Sequence, residues 1–177
     1  VREIFTRKND KEKVLRANII SLIATLFMIV IPGFLSRTVA GIPEKESVGF
    51  FFMFLSFYLF LKSWKSEKIA TSAIFGTLAG ISTGLMGLTW GGVTYVYFSI
   101  GLSSLVGFVL NKFNKKRAIS YSLWLISAIT LTLSLTNRFS LKSFLLGFDT
   151  GLACFIVGLF VIHYLLWNTK LKHILKL

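Results

Sequence analysis

The sequence predicts an all-α fold, a polytopic membrane bundle of about six transmembrane helices, and three observations carry that reading. Hydrophobic residues make up 54% of the chain and charged residues 15%, with a mean hydropathy of +0.73, whereas globular proteins average about 45–50% apolar and about 25% charged. The apolar runs are long and uncharged, as in Ile69 to Leu110, and a soluble helix of that length would need a polar face. The basic residues, which give a net charge of +13, fall in short clusters between these runs. That pattern belongs to membrane topology and not to a nucleic-acid-binding face. Membrane lipids are therefore the expected surroundings, and no nucleic acid is expected as a partner.

Residues 1–16 mix six basic residues with Glu3, Asp10 and Glu12 and read as a solvated, partly helical cytoplasmic arm. A transmembrane domain over 17–167 follows, with spans near 17–35, 47–64, 69–88, 93–110, 118–135 and 150–167. The first is uncharged and carries one late proline, Pro32, with enough residues at about 1.5 Å each to cross most of a hydrocarbon core of about 30 Å. The second holds six phenylalanines between Val48 and Leu61 and reaches Trp64 if Lys62 snorkels. Ile69 to Leu110 is twice the length of one span and must fold back. The turn is best placed at Trp90, Gly91 and Gly92, where glycine frees the backbone and tryptophan suits the interface. Gly76, Gly80 and Gly84 recur every four residues and form a ridge that admits a neighbouring helix by plain packing.

A fifth span follows the basic loop of Lys112, Lys115, Lys116 and Arg117. The mixed segment from Thr136 to Asp149 is expected to hold a short interfacial helix around Leu141 to Leu146, with Arg138 as an interfacial anchor and Asp149 at a helix start. The last span contains His163, an ionisable group at membrane depth, and Cys154, a single thiol that builds no disulfide or thiolate metal site. Residues 168–177 read as a cytoplasmic basic segment. The chain starts on Val1 and stops within a basic stretch, so it is expected to be an internal piece of a longer protein.

Six spans alternate the loops between two sides. Sixteen of the twenty basic residues then share a side with the N-terminus, and Arg37, Lys45, Arg138 and Lys142 lie opposite. By the positive-inside rule the N-terminus is cytoplasmic, and the segments around 36–47, 90–92 and 136–149 are on the outer face.

The stretch Ser36 to Ser47, SRTVAGIPEKES, sets Arg37, Glu44 and Glu46 between two apolar spans. Two carboxylates separated by one residue are able to share a hard cation, Mn²⁺ or Mg²⁺. A guanidinium seven residues upstream suits a phosphate or a carboxylate. Pro43 followed by acids is also how a helix begins, and spacing alone leaves both readings open.

SRTVAGIPEKES, followed by a Phe-rich span and then by Trp90-Gly91-Gly92 some 40 residues later, resembles the oligosaccharyltransferase catalytic-subunit family. There an Arg-x-Val-Ala-Gly stretch runs into an Asp-x-Glu or Asp-x-Asp motif, and a Trp-Gly-Gly follows. The resemblance implies a GT-C-type glycosyltransferase membrane domain in the cell (plasma) membrane. In it Arg37, Glu44 and Glu46 would be catalytic, Glu44 and Glu46 would hold Mn²⁺ or Mg²⁺, and Trp90, Gly91 and Gly92 would form a possible wall of the site. It implies a lipid-linked oligosaccharide donor and an acceptor polypeptide carrying Asn-X-Ser/Thr. Glu44 stands where the family has Asp, which moves the carboxylate by roughly an ångström. The family's first acidic motif, its later external-loop glutamate and its WWDYG element are not in this sequence, so the piece alone is expected to be inactive. Two other classes share some of these features: another polyprenyl-phosphate-sugar glycosyltransferase, and a transporter or flippase gated by Arg37, Glu44 and Glu46.

Overall fold

The computed structural model describes residues 11–38, 44–136 and 140–167. Eight helices form among them, with no strand: α1 (Lys11–Val30), α2 (Pro32–Leu35), α3 (Lys45–Lys65), α4 (Ile69–Thr89), α5 (Val93–Val109), α6 (Lys115–Leu135), α7 (Leu141–Leu146) and α8 (Phe148–Trp167). The chain is thus an all-α membrane bundle. By length and composition α3, α4 and α6 are able to cross a bilayer, their 21 residues reaching about 31 Å. The stretches Val14–Val30, Val93–Val109 and Phe148–Tyr164 are apolar but shorter. Large apolar side chains such as Phe51, Ile74, Ile126 and Phe155 face outward, the arrangement a lipid solvent rewards.

The expected first span, 17–35, is not one helix. It begins earlier, within α1, where Arg16 pairs with Glu12 one turn before it, and it breaks at Ile31 (φ −64°, ψ 118°). Proline has no N–H to donate and disfavours helical ψ in the residue before it, so Pro32 starts the separate four-residue α2. The interfacial helix lies where it was expected. Ser140 and Ser143 close its first turn reciprocally, each backbone N–H donating to the other's hydroxyl at 3.0–3.1 Å. This is a capping box in which serine replaces the usual Glu or Gln.

The glycine ridge of α4 meets α6. A Cβ at Gly76 would lie 2.6 Å from the Ser120 carbonyl oxygen, and one at Gly84 2.8 Å from Leu131, so the two backbones approach as only small residues allow. Hydroxyls fill the same seam. The Ser63 hydroxyl donates to the Ser72 carbonyl at 2.7 Å while the Ser72 hydroxyl donates back to the Ser63 carbonyl at 2.9 Å. Ser120 joins them from α6 through the Ser63 hydroxyl and the Ser72 carbonyl. Further along the seam the buried Trp124 indole donates to Thr83 at 3.0 Å, which satisfies its one polar atom. On the other flank α5 and α8 pack through aromatic rings, with Phe108 against Phe160 at 5.7 Å, and Phe113 of the loop after α5 stacks on the same Phe160 at 4.1 Å. Tyr121 of α6 donates to the Ala153 carbonyl at 3.0 Å and ties this flank to the seam.

Successive helices reverse direction, so Arg37, Glu44 to Ser47, the 90–92 turn and residues 140–149 share one end of the bundle. Contacts support this placement: Phe50 lies against Trp90, and Tyr97 against Phe144. The loops at 66–68 and 110–114, with their lysines, form the other end.

Candidate active site

Arg37 follows α2, where its backbone N–H donates to the Phe34 carbonyl at 3.2 Å. Glu44 occupies the N-cap position of α3 and Glu46 its first turn. Val39 to Pro43 lie outside the described residues. Of the two readings of the spacing, the helix start is the one the fold displays. The acids do open a helix, where its positive end favours them, and both also face Arg37. The same guanidinium nitrogen, Nη1, donates to Glu44 Oε2 at 3.4 Å and to Glu46 Oε1 at 3.2 Å. The Glu44 and Glu46 side chains are about three-quarters buried, while Arg37 is 52% exposed.

Sequence reasoning missed one member of this turn. The Ser47 hydroxyl donates to the Arg37 carbonyl at 2.6 Å and so fastens the arginine's backbone to the helix that carries the acids. A hydroxyl in a first helical turn is the signal that pointed to it, since such groups commonly seek nearby backbone.

Trp90 stands beside this turn. It ends α4 with extended backbone (φ −142°, ψ 135°), its N–H held by the Met86 carbonyl. Its ring covers Gly49, where an added Cβ would sit 3.0 Å from the ring, and it also closes over Gly92. Phe34, Phe50 and Trp90 form a run of rings with centroids 5.3 and 5.4 Å apart, from α2 through α3 to the end of α4. Trp90 is thereby brought next to the helix start that bears Glu44 and Glu46, while Gly92 meets only the Trp90 ring and Gly91 has nothing within 4 Å of an added Cβ. The expected anchor Arg138 lies outside the described residues, and Asp149 lies in the first turn of α8. His163 sits at the opposite end, edge-on to Phe108.

Glu44 and Glu46 offer hard oxygen donors that already converge on one positive charge, that of Arg37, which is the chemistry a Mn²⁺ or Mg²⁺ ion seeks. Among the described residues no group of three or more His, Cys, Asp or Glu side chains assembles. At this turn the described residues thus offer two carboxylates of the donor type a divalent cation takes, both paired with Arg37.

Several curated proteins are similar to this chain. Subunit STT3B of the dolichyl-diphosphooligosaccharide–protein glycosyltransferase from Arabidopsis thaliana is 28% identical over 116 residues, covering 64% of this chain and 15% of that protein. Subunit stt-3 of the enzyme of the same name from Caenorhabditis elegans is 29% identical over 101 residues, or 57% of this chain and 13% of that protein. Subunit stt3 from Schizosaccharomyces pombe is 29% identical over 108 residues, or 61% and 14%. This chain therefore corresponds to about one-seventh of the length of these relatives. No solved structure matches. The family model described as oligosaccharyl transferase STT3, N-terminal, matches residues 12–176, nearly the whole sequence, and the chain belongs to that family.

Proposed function

We propose that the chain is part of the membrane catalytic subunit that transfers an oligosaccharide from a polyisoprenoid phosphate or pyrophosphate to the Asn of an Asn-X-Ser/Thr acceptor. The observation that carries this reading is Arg37 bridging Glu44 and Glu46 beside Trp90, within a chain of the STT3 family. In this transfer the acceptor amide nitrogen attacks the anomeric carbon of the donor sugar. The bond from that carbon to the phosphate oxygen breaks, the phosphate keeps the electron pair, and the nitrogen gives up a proton.

Glu44 and Glu46 would hold a divalent cation, Mn²⁺ or Mg²⁺, which when bound supplies Lewis-acid stabilisation to the departing phosphate. A Glu46 carboxylate oxygen is suited to accept a hydrogen bond from the acceptor's amide N–H and so draw out its nucleophilicity. Arg37 orients both carboxylates, and Ser47 fixes Arg37; preorganised charge of this kind supplies a large share of many rate enhancements. Trp90 would wall the site. Further ligands would come from other parts of the full-length protein. The arm would be cytoplasmic and the turn on the outer face of the cell membrane, as the clustering of basic residues at the other end supports.

Glycopeptide formation by the full-length protein, with its lipid-linked donor and Mn²⁺, tests the site. Glu44→Gln and Arg37→Ala are each expected to lower the rate by about 10–100-fold, the usual effect of disturbing a metal's carboxylates or their partners. Unchanged rates in both variants would remove Arg37, Glu44 and Glu46 from the catalytic machinery.

A further inference from the structure

The basic end of the bundle holds a crevice that the proposed transfer does not use. It has two contiguous parts, of about 500 Å³ and about 300 Å³, between the end of α5, the start of α6 and the last turns of α8. Chain reversal makes it. Asn111 adopts a left-handed conformation (φ 56°), and the N–H groups of Asn111 and Lys112 donate to the Phe108 and Gly107 carbonyls, both at 2.9 Å. This is the Schellman arrangement that stops a helix abruptly. The sharp stop throws Phe113 back under the bundle, where it stacks on Phe160 and meets Phe108. These rings form an apolar floor. On the rim, Lys115 lies over the Tyr164 ring at 5.7 Å, beside Asn114 and His163.

The crevice therefore combines three properties. It opens at the end of the bundle, where apolar helices give way to a run of basic residues. Its floor is aromatic and continuous with the exposed, lipid-facing Val109 and Ile162. Its rim carries an exposed cation within a loop that also supplies Lys112, Lys116 and Arg117. Of those three, Lys116 and Arg117 are turned to the Ser66 and Lys112 carbonyls, whereas Lys115 lines the rim. A soluble anion would match the charge but not the floor, and a neutral lipid the floor but not the charge.

We infer that this crevice is a binding site for an anionic phospholipid of the adjoining leaflet, with the phosphate at Lys115 and the upper acyl chain on Phe108, Phe113 and Phe160. A basic side chain at a lipid surface contributes about 1 kcal/mol toward anionic lipid, or about fivefold in association. The inference does not depend on the catalytic reading, nor on which leaflet this end meets.

The full-length protein in vesicles of phosphatidylcholine and phosphatidylglycerol tests it, with spin-labelled forms of each lipid and the motionally restricted fraction as the readout. Phosphatidylglycerol is expected to be preferred, and Lys115→Gln to reduce the preference by about fivefold. Lys68→Gln, on the exposed loop at the same end, is expected to leave it in place. Equal loss in the two variants would show a diffuse cationic surface and overturn the site. So would displacement of the labelled lipid by millimolar inorganic phosphate, since a free anion does not use the aromatic floor. Phe113→Ala gives a second measure: a lower restricted fraction for phosphatidylglycerol supports the site, and no change removes the floor from it.

Discussion

At the end of the bundle that holds Arg37 and the start of α3, one guanidinium is shared between two carboxylates. At the opposite end, Lys116 and Arg117 donate to carbonyl oxygens, and Lys62, Lys115 and Arg117 lie over aromatic rings. The first arrangement gathers two acids around one cation at a helix start. The second completes the fold: carbonyls left open where helices stop receive donors, and rings near the membrane boundary cover the stems of the cations. Charge at one end is thus paired between side chains and at the other directed at backbone oxygens and rings, although both ends lie between apolar helices.

Three substitutions break or sharpen this contrast. Trp90→Ala should have the largest effect on stability, because the ring joins α3 to the 90–92 turn and backs Phe50, which in turn meets α2; a loss of about 2 kcal/mol is expected, below the roughly 3–5 kcal/mol of fully buried aromatics. Thermal unfolding in detergent measures it, and a loss under about 0.5 kcal/mol would mean that the rings do not hold the two turns together. Lys116→Ala should cost about 1 kcal/mol in the same assay by removing the donor to the Ser66 carbonyl. Arg37→Gln should change stability least, by less than about 1 kcal/mol, because its ion pairs are exposed to water. If Arg37→Gln proved the most destabilising of the three, the turn would be a structural clasp and the contrast between the ends would disappear.

Much of this was legible in the sequence because hydropathy and loop charge report where helices begin and end. The Trp90-Gly91-Gly92 reversal and the short helix at Leu141 to Leu146 were found in that way. The break at Ile31 was signalled by Pro32 but read as a late proline within one span. Partner choice was not legible: lipid tails are as apolar as leucine, so the pattern of apolar residues does not say which helix faces which. Hence the glycine ridge of α4 was readable as an interface, but α6 as its partner was not. At the site, Arg37, Glu44 and Glu46 were identified by spacing and resemblance. Ser47 and the run from Phe34 to Trp90 depend on folding the chain back, which spacing does not encode.

The serine cluster of Ser63, Ser72 and Ser120 also bears on motion. Sliding α3, α4 or α6 by one turn would strip several hydrogen bonds at once where no water replaces them, and the glycine ridge would strike the opposing carbonyls. These three helices are therefore locked in register, whereas α5 and α8 meet through rings such as Phe108 and Phe160, which impose no comparable register.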